Sequence, residues 1–493
     1  MLDLQLVNRI KLGRLFIDGQ WVDAGPDHAR FDIVSPATEE IFATVPCAQA
    51  GDIEAAVSAA RSALDHGPWA STIPAERGRL LHAFADAIDS HAETLAFLWA
   101  NEVGGLIGHG GGMVAMTTGI IREYARLASQ FAFTERHTPT AGGAAGYLLH
   151  EPVGVVGMII PWNSPLLMFA TKLAPALAAG CTAVCKTSPE APLEGILIGE
   201  ILQEIGLPSG VVNILMADRI ESELLVRDPR VDKISFTGST AVGKHVGSIC
   251  ASRVARATLE LGGKSAAVIM DDFEPELVAQ ALVPQFSMLS MQFCSALSRV
   301  IVSRHRHDDL LDALVAQTES IVVGDPFDPS SQMGPMAMRR QLDRLNDFLA
   351  SARSEGLSPA TGGDRPAGLD RGFYVRPAVF GHVPHEARIS REEVFGPLLS
   401  VIPADDEEHA IALANDTNMG LNNSIFTHDL ERAVAVGKRL CSGTVGHNAF
   451  RSDFGIGFGG FKQSGIGREG GLAGLMPYLE SKTLILDGNV DLV

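Results

Sequence analysis

Long apolar runs are missing: no stretch of 18 uncharged apolar residues occurs, so nothing is expected to cross a bilayer as a helix. Positive charge is scarce, with 39 Lys+Arg against 58 Asp+Glu and a net charge of −19. Such a surface repels phosphate backbones and anionic lipid, which argues against nucleic acid or membrane partners. Six cysteines (Cys47, Cys181, Cys185, Cys250, Cys294, Cys441) show neither dense pairing nor a CxxC spacing, which excludes the disulfide framework of small secreted domains. No metal ligand set is read from them. The opening MLDLQLVNRIKLGR lacks the apolar core of a signal peptide, and there is no internal repeat or low-complexity tract. A soluble, cytoplasmic protein is expected.

What is present is ordinary globular composition, 46% hydrophobic and 20% charged over 493 residues, enough for two or three lobes with their own cores. FIDGQWV (Phe16 to Val22) reads as a hairpin turning at Asp18-Gly19. Helices are expected over Asp52 to Leu64, Ala75 to Asn101 and Met113 to Ser129, with the glycines of 104–112 as a break. From Val153 strands alternate with helices, VGVVGMII, TAVCKT, VVNILM, DKISFTG and ATLEL being the strands, the pattern of a parallel sheet covered on both faces. A second α/β stretch starts at SAAVIMD (Ser265 to Asp271), with helices near Pro275–Phe293 and His307–Val322. Gly262-Gly263 is the expected boundary between the two. The Gly/Ala/Thr-rich segment from Thr134 and the strand Ser481 to Asp487 read as an arm.

Several residues could carry chemistry. Cys294 follows an apolar helix and is bracketed by Gln292, Ser295 and Ser298; a lone cysteine is usually a small buried hydrophobe, but a thiol at a turn near backbone donors can be nucleophilic. Glu260, in ATLELGG, is either a strand tip facing water or a carboxylate with a raised pKa suited to base work. Asn163, in PWNSP, is either a helix cap or a neutral donor to an oxyanion. Gly238, Ser239 and Gly243, in FTGSTAVG, form a strand–turn–helix whose N–H groups favour phosphate, although the run is not GxGxxG. Lys186 closes the strand TAVCKT.

Together and in this order, PWN, GSTAVG, ELGGK, QFC with Arg299 five residues on, EEVFGP (Glu392 to Pro397) and FGGFKQSGIGRE (Phe458 to Glu469) resemble the aldehyde dehydrogenase superfamily. The resemblance runs from FIDGQWV to YLESKT. It implies an α/β fold with a Rossmann-like coenzyme domain (1–133 and 151–262), an α/β catalytic domain (263–465) and a small β-arm (134–150 and 478–493) that pairs between subunits into homodimers or homotetramers. It implies Cys294 as nucleophile, Glu260 as base and Asn163 as oxyanion donor, with Lys172 and Glu469 near the base as a proton path. It implies NAD, with NADP possible, held by Ile159, Trp162, Lys186, Ser188, Gly238, Ser239, Gly243, Leu261, Glu393 and Phe395.

Three positions depart from the family pattern. Pro189 stands where a ribose-holding glutamate is usual, and Glu190 comes one later. Met291 replaces the glycine before Gln292. Ser164 replaces an aromatic residue after PWN. By family position the substrate tunnel comprises Ser164, Leu167, Met168, Met288, Met291, Phe293 and Phe458, mostly apolar, which suggests an aliphatic, terpenoid or aromatic aldehyde. Arg451 keeps a carboxylate-bearing semialdehyde open as an alternative. A CoA-acylating enzyme or an inactive structural homologue is a weaker rival, since Glu260 and Cys294 are both retained.

Overall fold

The computed structural model describes residues 10–488 and 490; the first nine residues of the opening segment and the end of the expected arm lie outside them. Two sheets organise these residues. The first has eight strands in the order Gln20–Asp23, Arg14–Ile17, Val212–Met216, Thr182–Thr187, Val155–Ile159, Lys233–Thr237, Arg256–Glu260 and Gly465–Ile466. Its five central strands are parallel, and the hairpin and the Gly465–Ile466 strand close its edges antiparallel. The second has six strands, all parallel, in the order Ala378–Phe380, Leu398–Ala404, Leu297–Ser303, Ser265–Ile269, Asn422–Phe426 and Thr444–His447. VVGMI, VNILM and SAAVI are buried along their whole length, as strands covered on both faces must be. The chain passes from one sheet to the other between Glu260 and Ser265.

In the first sheet the connections run outward in opposite directions from the Val155–Ile159 strand, to Thr182–Thr187 on one side and to Lys233–Thr237 on the other. The crevice beyond the carboxyl ends of these strands is where an open α/β sheet takes its ligand. Asn163 and the Gly238 turn both lie there.

The hairpin turns at Asp18 (φ 52°) and Gly19 (φ 69°), as a two-residue hairpin turn requires. Other expectations need correction. Ala75 to Asn101 is two helices, Pro74–Ser90 and Ala92–Val103, meeting at His91. The glycines of 104–112 do not break the chain as expected: a helix runs from Ile107 to Gln130. A Cβ on Gly110 would lie 2.3 Å from that of Ala96, so glycine there serves helix-to-helix approach. The helix from Pro275 ends at Leu282, and short 3-10 turns lead on to Met291. Leu479–Leu486 does pair with Ala145–Pro152, which in turn pairs with Thr134–His137. The final segment thus returns antiparallel alongside an earlier strand of its own chain.

Candidate active site

Glu260 ends its strand, and the reading of a water-facing tip fails. The side chain is 2% exposed, and neither carboxylate oxygen has a hydrogen-bond partner. Burial pushes this carboxyl well above its ordinary range and the charge of Glu469 adds to the effect, while Lys172 and Arg468 draw it down. A carboxylate without hydrogen bonds in such surroundings is a strong base when ionised. Lys172, on the Pro165–Ala179 helix, and Glu469 form a fully buried ion pair, and Glu469 Oε2 is left without a partner.

The candidate nucleophile, Cys294, arrives on a strained turn. Leu289, Ser290 and Met291 all hold positive φ, at 49°, 52° and 55°, a conformation costing roughly 1–2 kcal/mol for each L-residue. Side chains hold it in place: Ser290 Oγ donates to the Gly334 carbonyl at 2.8 Å, and Gln292 Oε1 accepts from the Ala337 N–H at 3.1 Å. Cys294 follows, partly exposed where Cys47, Cys181, Cys185 and Cys250 are buried. Burial, with the negative charges of Glu393 and Glu260, pushes its thiol up, so the resting sulfur is protonated and needs a base. Asn163 Nδ2 donates to the Gln292 carbonyl at 3.0 Å, which ties the strand-end turn to the cysteine loop. An amide nitrogen has two hydrogens, so one remains for an incoming oxygen.

The two glycines after Glu260 explain how these parts meet. A Cβ on Gly262 would stand 2.3 Å from Glu393 Oε2, and one on Gly263 would stand 2.2 Å from the Cys294 carbonyl oxygen. Only a bare backbone lets the Glu260 strand, the cysteine loop and Glu393 approach so closely. Glu393 Oε1 accepts the Gly263 N–H at 3.2 Å, and burial raises its carboxyl to about 7.

Around the crevice lie groups suited to a phosphate-bearing ligand. Ser239 caps the Thr240–Ser252 helix through the Val242 N–H, and the hydroxyls of Thr237 and Thr240, on either side of the turn, are buried without partners. Free donors at a helix start are what an anion needs. Gly243 packs under Leu261, where a Cβ would come within 2.2 Å of the leucine side chain. Lys186 is buried rather than solvated, and burial lowers its ammonium to about 8. Ser188 donates to Glu190, which also pairs with Arg340 at 2.7 Å. Ile159 closes its strand, and Trp162 meets the Phe395 ring edge-on at 5.6 Å, with Phe395 itself at φ 59°.

Of the tunnel residues, Leu167, Met291 and Phe458 are buried, and Ser164, Met168 and Phe293 are half-buried. Met288 is 41% exposed. Two aromatics were not anticipated: Phe450 against Phe293 at 5.3 Å and Phe454 against Phe458 at 4.6 Å. Their signal was present in the aromatic spacing just before FGGFK. Arg299 is buried and donates to the carbonyls of Lys264, Leu413 and Ala414, a bracing role outside the chemistry.

The chain resembles known proteins along nearly its whole length. The profile of the aldehyde dehydrogenase family matches residues 21–484. Geranial dehydrogenase of Castellaniella defragrans is 37% identical over 476 residues, 96% of this chain and 98% of the relative. The chloroplastic betaine aldehyde dehydrogenase of Amaranthus hypochondriacus is 38% identical over 491 residues, 98% of each chain. A cysteine-to-alanine variant of an aldehyde dehydrogenase from Pseudomonas syringae, solved with NAD+ and octanal, superimposes with a TM-score of 0.92 at 35% identity, covering 98% of both chains.

Proposed function

This chain belongs to the aldehyde dehydrogenase family, and from that premise we propose that it oxidises an apolar aldehyde of medium size to its carboxylic acid through Cys294, with NAD as cofactor. The observation that carries this reading is that the unpartnered Glu260 carboxyl lies within electrostatic reach of Cys294, while the Asn163 amide is bonded to the loop two residues before that cysteine.

Glu260 is the nearby base for the raised Cys294 thiol. The sulfur attacks the aldehyde carbon, and the free N–H of Asn163 steadies the oxyanion, worth roughly 3–4 kcal/mol of barrier for one such donor. A neutral amide does this without opposing the charge that develops. When bound, NAD+ supplies a hydride acceptor, the chemistry that takes the adduct to the acyl level. Thr237, Thr240, Ser239 and the turn at Gly238 would hold its pyrophosphate, Lys186 a ribose, and Glu393 with Phe395 the nicotinamide end. Glu260 then takes a proton from water, which attacks the Cys294 thioester. Lys172 and Glu469 lie beside Glu260 to pass that proton on.

The relatives act on aldehydes as different as geranial and betaine aldehyde, so the tunnel residues decide the substrate. Leu167, Met168, Met291, Phe293, Phe450, Phe454 and Phe458 offer apolar surface, and no carboxylate among them meets a cationic substrate. This supports the apolar reading, as does the octanal bound by the Pseudomonas protein. One observation favours a semialdehyde instead: the exposed Arg451 guanidinium makes no hydrogen bond or ion pair among the described residues. The free edges of the three-stranded sheet support a homodimer or homotetramer.

The test is NADH formation with an aldehyde panel. Across butanal, hexanal and octanal, each buried methylene adds about 0.8 kcal/mol, about fourfold in kcat/KM, until the tunnel is full. Succinic semialdehyde or betaine aldehyde outpacing octanal by a large factor would overturn the apolar reading, and a requirement for CoA would overturn hydrolysis by Glu260.

A further inference from the structure

Two helices beside Asn163 begin without caps of their own. Ser164 precedes the Pro165–Ala179 helix but its side chain makes no capping bond, and Pro192 precedes Leu193–Glu204 with no side chain to offer. Their first N–H groups are taken up by buried glutamates from elsewhere. Glu102, on the Ala92–Val103 helix, accepts the Leu193 N–H at 2.8 Å. Glu194, second residue of the helix so capped, accepts the Leu166 N–H at 2.9 Å. The borrowed caps thus run in series, from one helix to the next, and end three residues after Asn163.

Both glutamates are buried, and the second oxygen of each, Glu102 Oε2 and Glu194 Oε1, has no partner. Apolar residues would occupy these positions at lower cost. What the glutamates do that apolar residues cannot is satisfy N–H groups at helix starts. The same Ala92–Val103 helix also carries Trp99, whose indole N–H donates to the Asn163 carbonyl at 3.4 Å. The Asn163 turn is therefore held on its carbonyl by Trp99, on its amide by Gln292, and at the helix start by Glu194.

We propose that Glu194 is a positioning residue for the oxyanion donor, filling the capping role that Ser164 leaves open and so fixing the turn that presents the Asn163 amide. The proposal rests on the reading of Asn163 as that donor. Only an acceptor oxygen is needed: burial pushes the Glu194 carboxyl up to about 8, and the uncharged acid still offers a carbonyl oxygen to the N–H.

A double-mutant cycle with Asn163→Ala tests it. Glu194→Met keeps the volume and removes the acceptor. It should lower kcat about tenfold to a hundredfold, the loss expected for a misplacement of about 1 Å, with little change in KM. Glu194→Gln, which keeps an acceptor oxygen, should restore most of the rate. In the Asn163→Ala background Glu194→Met should change kcat less than about twofold, because the group it positions is gone. The same fold-loss in both backgrounds, or a Glu194→Gln as slow as Glu194→Met, would overturn the proposal. Asn163→Ala with undiminished kcat would instead sink the reading of Asn163 itself, a distinct result. If Glu194→Met does not fold, Glu194→Asp, too short to reach Leu166, carries the same comparison.

Discussion

Gly262 and Gly263 differ by one position in the sequence, yet alanine at each should damage a different part of the enzyme. At Gly263 the new Cβ falls 2.2 Å from the Cys294 carbonyl oxygen, a backbone atom, and 3.2 Å from Leu421 Cβ. Ordinary contact begins near 3.4 Å, so the cysteine loop must retreat by about 1.2 Å. A misplacement of about 1 Å costs on the order of a hundredfold in rate. That loop already carries three left-handed residues and has little slack. Gly263→Ala should therefore lower kcat by about two orders of magnitude and stability by about 1–3 kcal/mol, the usual cost of overpacking. At Gly262 the obstacle is Glu393 Oε2 at 2.3 Å, the end of a side chain that can swing aside. Gly262→Ala should spare kcat at saturating cofactor and weaken NAD+ binding, since Glu393 is assigned to the cofactor. Steady-state kinetics, thermal melting and cofactor titration by fluorescence separate the two. If Gly263→Ala keeps kcat within about threefold of the parent, a shift far smaller than 1 Å by the same scale, the base strand does not set the position of Cys294.

NAD+ affinity should be greatest between about pH 7 and about pH 8. Glu393, raised to about 7, must ionise to hold a ribose, and Lys186, lowered to about 8, must stay charged; affinity that is flat from pH 6 to 9 in fluorescence titrations would contradict both assignments. Glu190 is already engaged by Ser188 and Arg340, so it does not simply replace the glutamate missing at Pro189, and NADP should be used measurably. Pro189→Glu should depress NADP use more than NAD use, because a carboxylate repels the 2′-phosphate; equal effects would mean that position 189 does not face the ribose. Light scattering at micromolar concentration should show a dimer or tetramer, and a stable monomer would remove the arm's assembly role.

The candidate site was legible because it is written in short contiguous runs: PWN, ELGGK and QFC each place their candidate residue at a strand end or turn. The alternating strands were legible because fully buried strands are continuous apolar runs. What escaped depends on distant contacts. Glycines 108 and 110–112 look like a break in sequence, yet they sit inside a helix because Gly110 faces Ala96. Pro275–Phe293 reads as one apolar helix, but the left-handed turn at Leu289–Met291 is held by partners more than 40 residues away, Gly334 and Ala337. Whether Glu260 and Lys186 face water or the interior could not be read locally, since burial is decided by contacts distant in the chain, such as Gly459 against Glu260. The capping glutamates Glu102 and Glu194 carried no signal, for each serves a helix start remote in the chain.

The central claim is a division of labour: Cys294 makes the thioester and Glu260 removes it. Glu260→Gln keeps the size of the side chain and deletes the base. Rapid mixing of this variant with octanal and NAD+ should give at most one NADH per active site, then a very slow steady state, with the acyl group found on Cys294 by mass spectrometry. Because burial and nearby carboxylates hold the thiol protonated, the burst should be slower than in the parent but no smaller. Hydroxylamine should restore part of the turnover by attacking the trapped thioester. Normal turnover by Glu260→Gln would assign the base role elsewhere, with Glu469 the first alternative. Absence of both burst and adduct even at high pH, where the thiol ionises without a base, would mean that no thioester forms without Glu260, and would contradict the account.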